Sequence, residues 1–418
     1  MAQIRQRVNL ENNIINMRKN LTFLKMKFEG RKNNMGLKIG VCGLGNAGSQ
    51  VAVQCNALNI PTIGVNSSEM DIDAVRSKSK ITMICFGQDG AGLDRNLGKS
   101  FVKDNMRAFL GTKEFKDFID QVDYVFMVSS TSGGTGSSFA PIMTDVLTSL
   151  YTNGGESKTP KYFINVGILP HINESIGNQR NTIEYLKEVT DLGNSYLLFD
   201  NNNVKTSSTD EIFTSVNKKI AEYLAVIRGD YSKISPYGMI DDRDFKKIIL
   251  MPGMIFMNKL DNILEENIKT DQSIEDMLLN NINQKNYMVT IDRDKIVKRR
   301  GCIANLAENL RPYFDRDLNK ISQVFGEPIE QFNHFAINED SDSRANYVIL
   351  IMSGLSLPNN RLRMIIDRVS AVEQALAKKQ ETSLLRSAFD KVKTYSNEKE
   401  VNITGPSNFD LDDIMGKY

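Results

Sequence analysis

The chain has 418 residues, a formal net charge of +1 and 25% charged residues, so it is long enough for two domains with full cores and carries no excess of either sign. That balance argues against a surface built for general nucleic-acid binding. Two histidines without a metal-ligand cluster argue against a zinc enzyme or a His-dependent triad. The four cysteines (Cys42, Cys55, Cys85, Cys302) include no CxxC pair, and three sit in apolar runs, which fits reduced, mostly buried thiols in a cytoplasmic protein. No stretch reads as a membrane span or a secretory signal.

Residues 1–35 hold eight Lys/Arg, and Ile14, Met17, Leu21, Leu24 and Phe28 recur at three and four residues. The spacing predicts a basic amphipathic helix, read as packing on its own globule or on a neighbouring subunit in preference to binding a membrane surface. Met35 offers an internal start, which would make this extension dispensable.

Leu37–Cys42 reads as a buried strand running into Gly43-Leu44-Gly45-Asn46-Ala47-Gly48 and then a helix. Taken alone, this GxGxxG predicts an NAD(P)-dependent oxidoreductase. That reading requires an Asp or Glu at the end of the second strand to hold a ribose. Pro61–Val65 ends instead in Asn66-Ser67-Ser68. Further strands are expected at Ile81–Phe86, Tyr124–Val128, Tyr162–Ile168 and Ser195–Phe199, with helical patterns between most of them. The alternation predicts an α/β fold with a mostly parallel sheet, its ligand at the carboxyl ends of the strands.

The most informative loop is Ser129-Ser130-Thr131-Ser132-Gly133-Gly134-Thr135-Gly136-Ser137-Ser138, between an apolar strand and a helix. Glycines let backbone N–H groups converge on a phosphate, and the helix N-terminus adds partial positive charge. Thr135 and Ser137 supply hydroxyls. With Gly90-Ala91-Gly92, the chain has more glycine loops than one dinucleotide fingerprint needs, which suits a triphosphate. No GxxxxGK[ST] is present.

Asp210–Arg228 predicts a long helix with a broad apolar face, buried between two bodies. A carboxylate-rich turn, Ser235–Asp244, follows. Residues 245–375 read as a second α/β domain, with strands near Ile248–Met251 and Tyr347–Met352 and helices near Ile303–Val324 and Asn360–Ala377. The cations of Lys295–Arg300 read as a solvated face. A charged helix is expected at 378–400. The tail 401–418 interleaves Phe409, Leu411 and Ile414 with acids after Gly405-Pro406, and reads either as a peptide for a partner's groove or as plain disorder.

Together these loops resemble the tubulin/FtsZ superfamily over roughly residues 36–375. Its glycine signature stands here as Ser132–Ser138, with serine at both ends. The resemblance implies a Rossmann-type GTP-binding domain (36–208), a central core helix (209–229) and a smaller second α/β domain (230–377) with an acidic catalytic loop at 235–245. It assigns GTP contacts to Gly45, Asn46, Ala47, Asn66, Ser67, Gly90, Ala91, Gly92, Ser132, Gly133, Gly134, Thr135, Gly136 and Ser137. Glu174 stands at the ribose position, with Asn178 where FtsZ has arginine, and Asn201, Phe213 and Asn217 stand around the guanine. The terminal extensions and the altered signature resemble TubZ, the plasmid- and phage-borne branch, more than FtsZ of cell division. The resemblance therefore implies a bacterial, plasmid- or phage-encoded protein. It would bind GTP/GDP with Mg²⁺ through the phosphates and no direct protein metal ligand.

In such a family the active site is completed by polymerisation. One subunit holds GTP, and the next supplies carboxylates that orient water toward the γ-phosphate. Asp244 is expected as the main acid and Asp241 as its helper, with Asp242 as the fallback, since Asp241 and Asp244 have the DxxD spacing. The implied partners are other copies, head to tail, and a DNA-binding centromere adaptor docked on the tail 401–418. DNA is then reached only indirectly, and no membrane is involved.

Overall fold

In the computed structural model the described residues are 37–392, apart from 88, 154–156, 158, 207, 230–239, 285, 294–295 and 339–345; for 380–392 only the helical backbone is described. The expected N-terminal helix (1–35), the tail (401–418), residues 393–400 and the first part of the acidic turn lie outside them.

Ten strands form one sheet in the order β3-β2-β1-β4-β5-β6-β7-β10-β8-β9. They are β1 (Ile39–Leu44), β2 (Thr62–Asn66), β3 (Thr82–Cys85), β4 (Tyr124–Ser130), β5 (Tyr162–Leu169), β6 (Ser195–Asp200), β7 (Gly253–Asp261), β8 (Arg299–Leu306), β9 (Glu330–Ile337) and β10 (Tyr347–Leu355). Strands β1 to β7 pair in parallel; β10 is antiparallel to both β7 and β8, and β8 and β9 are parallel. Every residue of β1 and of β6 is buried, as expected for a parallel sheet covered on both faces.

The order 3-2-1-4-5-6 has its switch point between β1 and β4, where open α/β sheets bind ligands. Leu44 at the end of β1 lies opposite Ser129 near the end of β4. The two glycine loops therefore leave the sheet side by side.

The helices are α1 (Gly45–Ala57), α2 (Glu69–Arg76), α3 (Arg95–Gly111), α4 (Lys113–Gln121), α5 (Thr135–Leu147), α6 (Ile176–Asp191), α7 (Thr209–Arg228), α8 (Asp242–Ile249), α9 (Ile274–Gln284), α10 (Asn319–Phe325) and α11 (Asn359–Val392). The central helix α7 starts where Ser208 accepts from the Glu211 N–H and stops at Gly229, whose φ of 105° favours glycine. Its buried face includes Ile212, Val216, Ile220, Leu224 and Ile227 and packs on α1 and β6. The strands on either side of α7 belong to the same sheet.

Four expectations are corrected. Ile248–Met251 is no strand: Ile248 and Ile249 end α8, and the strand begins at Gly253. Phe245, Ile248 and Ile249 have helical spacing, and Asp241 caps the helix, so a short apolar run misled. The single helix expected over Ile303–Val324 is strand β8, a 3₁₀ turn at Glu308–Tyr313 holding Pro312, and α10. Arg300 is not solvated: it is 1% exposed, and donates from Nη1 to Ser322 Oγ (2.8 Å) and from Nε to Gln331 Oε1 (3.2 Å). Finally, the charged helix expected from 378 is the continuation of α11, unbroken from Asn359 to Val392.

Candidate nucleotide site and acidic pole

The loops after β1, β2, β3 and β4 lock together by backbone contact. Gly45 has φ +67°, and a Cβ there would meet the Gly136 amide nitrogen at 2.9 Å. Gly134 donates to the Gly92 carbonyl (3.0 Å), and a Cβ on it would lie 2.4 Å from that oxygen. Gly90, with φ +83°, donates to the Ser67 carbonyl (2.8 Å). Thr135 opens α5, and its Oγ1 lies 2.6 Å from Ser67 Oγ. Gly133 through Gly136 thus surround the amino end of a helix that has no side-chain cap, leaving N–H groups for an anion.

Not every expected side chain faces this cradle. Ser137 is fully buried; its hydroxyl donates to the Gly133 carbonyl and accepts from Arg95 Nε (3.1 Å), so only its backbone is available. Ser132 is 5% exposed, with its hydroxyl on Ser130 Oγ (2.9 Å). Asn66 is committed inward, accepting from the Ser67 N–H (2.8 Å) and donating to Asp71 (3.4 Å). Asn46 is exposed, Ala47 is partly exposed, Ala91 is buried, and Gly92 is exposed with φ +55°.

At the other half of the cradle, Glu174 accepts from the His171 N–H (2.8 Å) and from Asn178 Nδ2 (2.7 Å). The two residues expected near the ribose are therefore already paired. Asn202 Oδ1 accepts from the Ile172 N–H (3.4 Å), tying this loop to the 3₁₀ turn 201–203, on which α7 packs. Asn201 is 5% exposed, and its buried Oδ1 has no hydrogen-bond partner among the described residues. Phe213 is 44% exposed, a large ring left uncovered in the first turns of α7, with Asn217 one turn further along. An unpartnered amide and an uncovered ring fit a flat, hydrogen-bonding base.

Sequence reasoning missed three residues here. Asn181 Nδ2 donates to both the Leu93 (3.0 Å) and Ser132 (2.9 Å) carbonyls, stapling α6 to two loops. Arg95 is 3% exposed; it reaches Ser137, Glu184 (2.8 Å) and Glu188. Arg361, also buried, pairs with Asp200. Burial raises the Asp200 carboxyl above its ordinary value, against the pull of Arg361. All three act across long sequence separations, and no local motif marks them.

The acids lie elsewhere. Asp241 caps α8, accepting from the Arg243 (2.8 Å) and Asp244 (2.9 Å) N–H groups, while Asp244 accepts from the Asp241 N–H (3.3 Å). DxxD is thus a capping box at a helix start rather than an open turn. Asp241 and Asp242 are exposed, and Asp244 is partly exposed. Burial, then the neighbouring Asp241, raises the Asp242 carboxyl. Helix α8 lies at the amino ends of the strands: Lys246 Nζ sits 4.7 Å from the ring centre of Tyr162, which starts β5 and stacks on Tyr124, which starts β4. The seven residues of β4 separate Tyr124 from the glycine loop, a rise of about 20 Å. Acids and cradle occupy opposite poles.

A parallel sheet with interlocked glycine loops at its switch point, and a carboxylate pair at the amino ends of its strands, is the layout of a nucleotide-binding α/β protein. Residues 38–209 match the model of the Tubulin/FtsZ family, GTPase domain. The GxGxxG loop belongs to this domain, so the oxidoreductase reading is set aside. Among curated relatives, CetZ4 of Haloferax volcanii is 24% identical over 255 residues, 55% of this chain and 61% of its own length. TubZ of a Clostridium botulinum C phage is 20% identical over 408 residues, 93% of this chain and 97% of its own. Among solved structures, a GTPγS-form protofilament of Bacillus thuringiensis serovar israelensis TubZ superposes with TM-score 0.65 at 15% identity, covering 85% of this chain and 95% of the other. No helix among the described residues is long and apolar enough to cross a membrane.

Proposed function

We propose that this chain is a GTPase that polymerises head to tail and hydrolyses GTP where two copies meet. The separation of the acids from the cradle carries this reading, since Asp241, Asp242 and Asp244 cannot reach a nucleotide bound in their own molecule. The amides of Gly133 to Gly136 and the Thr135 hydroxyl hold phosphate, and the Gly90–Gly92 loop contacts the γ-phosphate. Bound through the phosphates, Mg²⁺ would offset their charge. Asn201, Phe213 and Asn217 take the guanine, and Glu174 with Asn178 the ribose. A neighbour's Asp244, aided by Asp241, then orients the attacking water, which ties hydrolysis to assembly.

The protofilament form of the solved TubZ relative supports self-association. The long alignment with the phage TubZ supports the DNA-segregating branch. In that role the filament moves plasmid or phage DNA through a DNA-binding adaptor on residues 401–418, inside a bacterial cytoplasm. Negative-stain microscopy with a slowly hydrolysed GTP analogue tests the core of this reading. Filaments are expected with the analogue and none with GDP; equal assembly in both, or in neither, rejects it.

A further inference from the structure

Two arginines on α11 pinch the loop that carries Glu174. Arg361 Nη2 donates to the Pro170 carbonyl (2.7 Å) at the start of the loop, and Arg368 Nη2 to the Glu174 carbonyl (3.4 Å) at its end. The two positions are seven residues apart, about two helical turns, so they project from one helix face. Further along, Arg180 of α6 reaches back to Glu373 (2.8 Å).

Arg361 does more than hold one loop. Its Nε donates to Asp200 Oδ2 (2.7 Å) and its Nη2 to Oδ1 (3.2 Å), a fork on a 1% exposed carboxylate. Asp200 Oδ1 also accepts from the Asn202 N–H (2.9 Å) and so shapes the turn 201–203, where Asn201 presents its unpartnered Oδ1. One guanidinium therefore sets the relative position of the ribose-side loop and the base-side turn. A planar fork suits this role because it fixes direction as well as distance.

We propose that α11 is a clamp on the sugar-and-base half of the nucleotide, with Arg361 as the positioning residue that aligns Glu174 and Asn201. The inference rests on the nucleotide reading above and extends it: nucleotide release requires the Arg361–Asp200–Pro170 joint to give way, and base choice depends on it.

The test uses full-length protein below its assembly concentration, with fluorescent GDP chased by unlabelled GDP, and competition by ADP. In Arg361→Met, release is expected to accelerate by about tenfold or more, as for loss of a buried charged hydrogen bond, and the preference for GDP over ADP to shrink. Arg180→Met removes the outer Arg180–Glu373 pair alone and is expected to leave both unchanged. A role in folding alone would lower the melting temperature without narrowing base preference. If Arg361→Met does not fold, Arg361→Lys, which keeps the charge but lacks the fork, and Arg368→Met are read in the same way. Folded variants with wild-type release and preference overturn the clamp. A wild-type chain that holds no GDP overturns the nucleotide reading, and the clamp with it.

Discussion

The hydroxyls of Ser67 and Thr135 lie 2.6 Å apart although 68 residues separate them in sequence. One directly follows β2, and the other opens α5, so this contact joins two strand ends across the proposed phosphate cradle. Thr135→Ala removes the hydroxyl from both the contact and the cradle. GTP affinity is expected to fall by about tenfold, roughly the worth of one charge-assisted hydrogen bond. Titration with fluorescent GTP reads this, and unchanged affinity and turnover would remove Thr135 from the site.

Gly134 touches the Gly92 carbonyl so closely that no side chain fits without moving backbone. In Gly134→Ala the loop after β3 must part from the loop after β4. Both nucleotide affinity and melting temperature are expected to drop, with a cost of about 1–3 kcal/mol, typical of overpacking. Gly133→Ala is the control, since a Cβ there meets nothing within 4 Å. Equal behaviour of the two variants would contradict the interlock.

Asp244→Ala is expected to keep GTP binding, greatly slow phosphate release and leave long-lived filaments. The substitution also removes half of the capping box, with a local cost of about 1 kcal/mol. Asp244→Asn retains an acceptor oxygen for that cap and separates the two effects: slow turnover in both variants marks chemistry, whereas slow turnover in alanine alone marks helix stability. Normal phosphate release by both would reject the assignment.

Opposite poles also predict a concentration dependence. GTP turnover per molecule is expected to be negligible in dilute, monomeric protein and to rise steeply once subunits stack. A phosphate-release assay across protein concentrations measures this. A constant rate per molecule would mean that a single copy holds a whole site.

Glu222 lies 2.7 Å from Lys219 and 2.9 Å from Lys259. Burial alone would raise its carboxyl, but the two ammonium groups prevail and hold it below the ordinary 4.5. A carboxylate depressed in the fold contributes stability that is complete above its unfolded value and is lost as pH falls through the folded one. Glu222→Gln is therefore expected to melt lower than wild type at neutral pH and to converge on it well below pH 4.5. Parallel melting curves over that window would contradict the pairing.

The parallel half of the sheet was legible because strand, glycine loop and helix follow each other locally. Ile39–Leu44 with Gly45, and Tyr124–Ser130 with Thr135, carry their own turn chemistry. The region after Arg228 was less legible. Ile248 and Ile249 form an apolar run too short to separate helix from strand, and β8 hides behind Arg299, which pairs with Glu330, and Arg300, which donates to the Gln331 amide, both partners on the adjacent strand. The same reason hid Arg95, Asn181 and Arg361. Each finds its partner about forty residues or more away, and only the folded chain brings those partners together.

Strands β1 to β9 run from the acidic pole to the glycine-loop pole and β10 runs back, and the sheet continues unbroken from β3 to β9. Under head-to-tail stacking, tension along a filament would pull parallel to the strands. Neighbouring ladders would then be loaded in shear, with many hydrogen bonds resisting at once rather than unzipping one after another. Such a subunit would behave as a stiff link, so a filament under load would part at the joints between copies before any copy came undone.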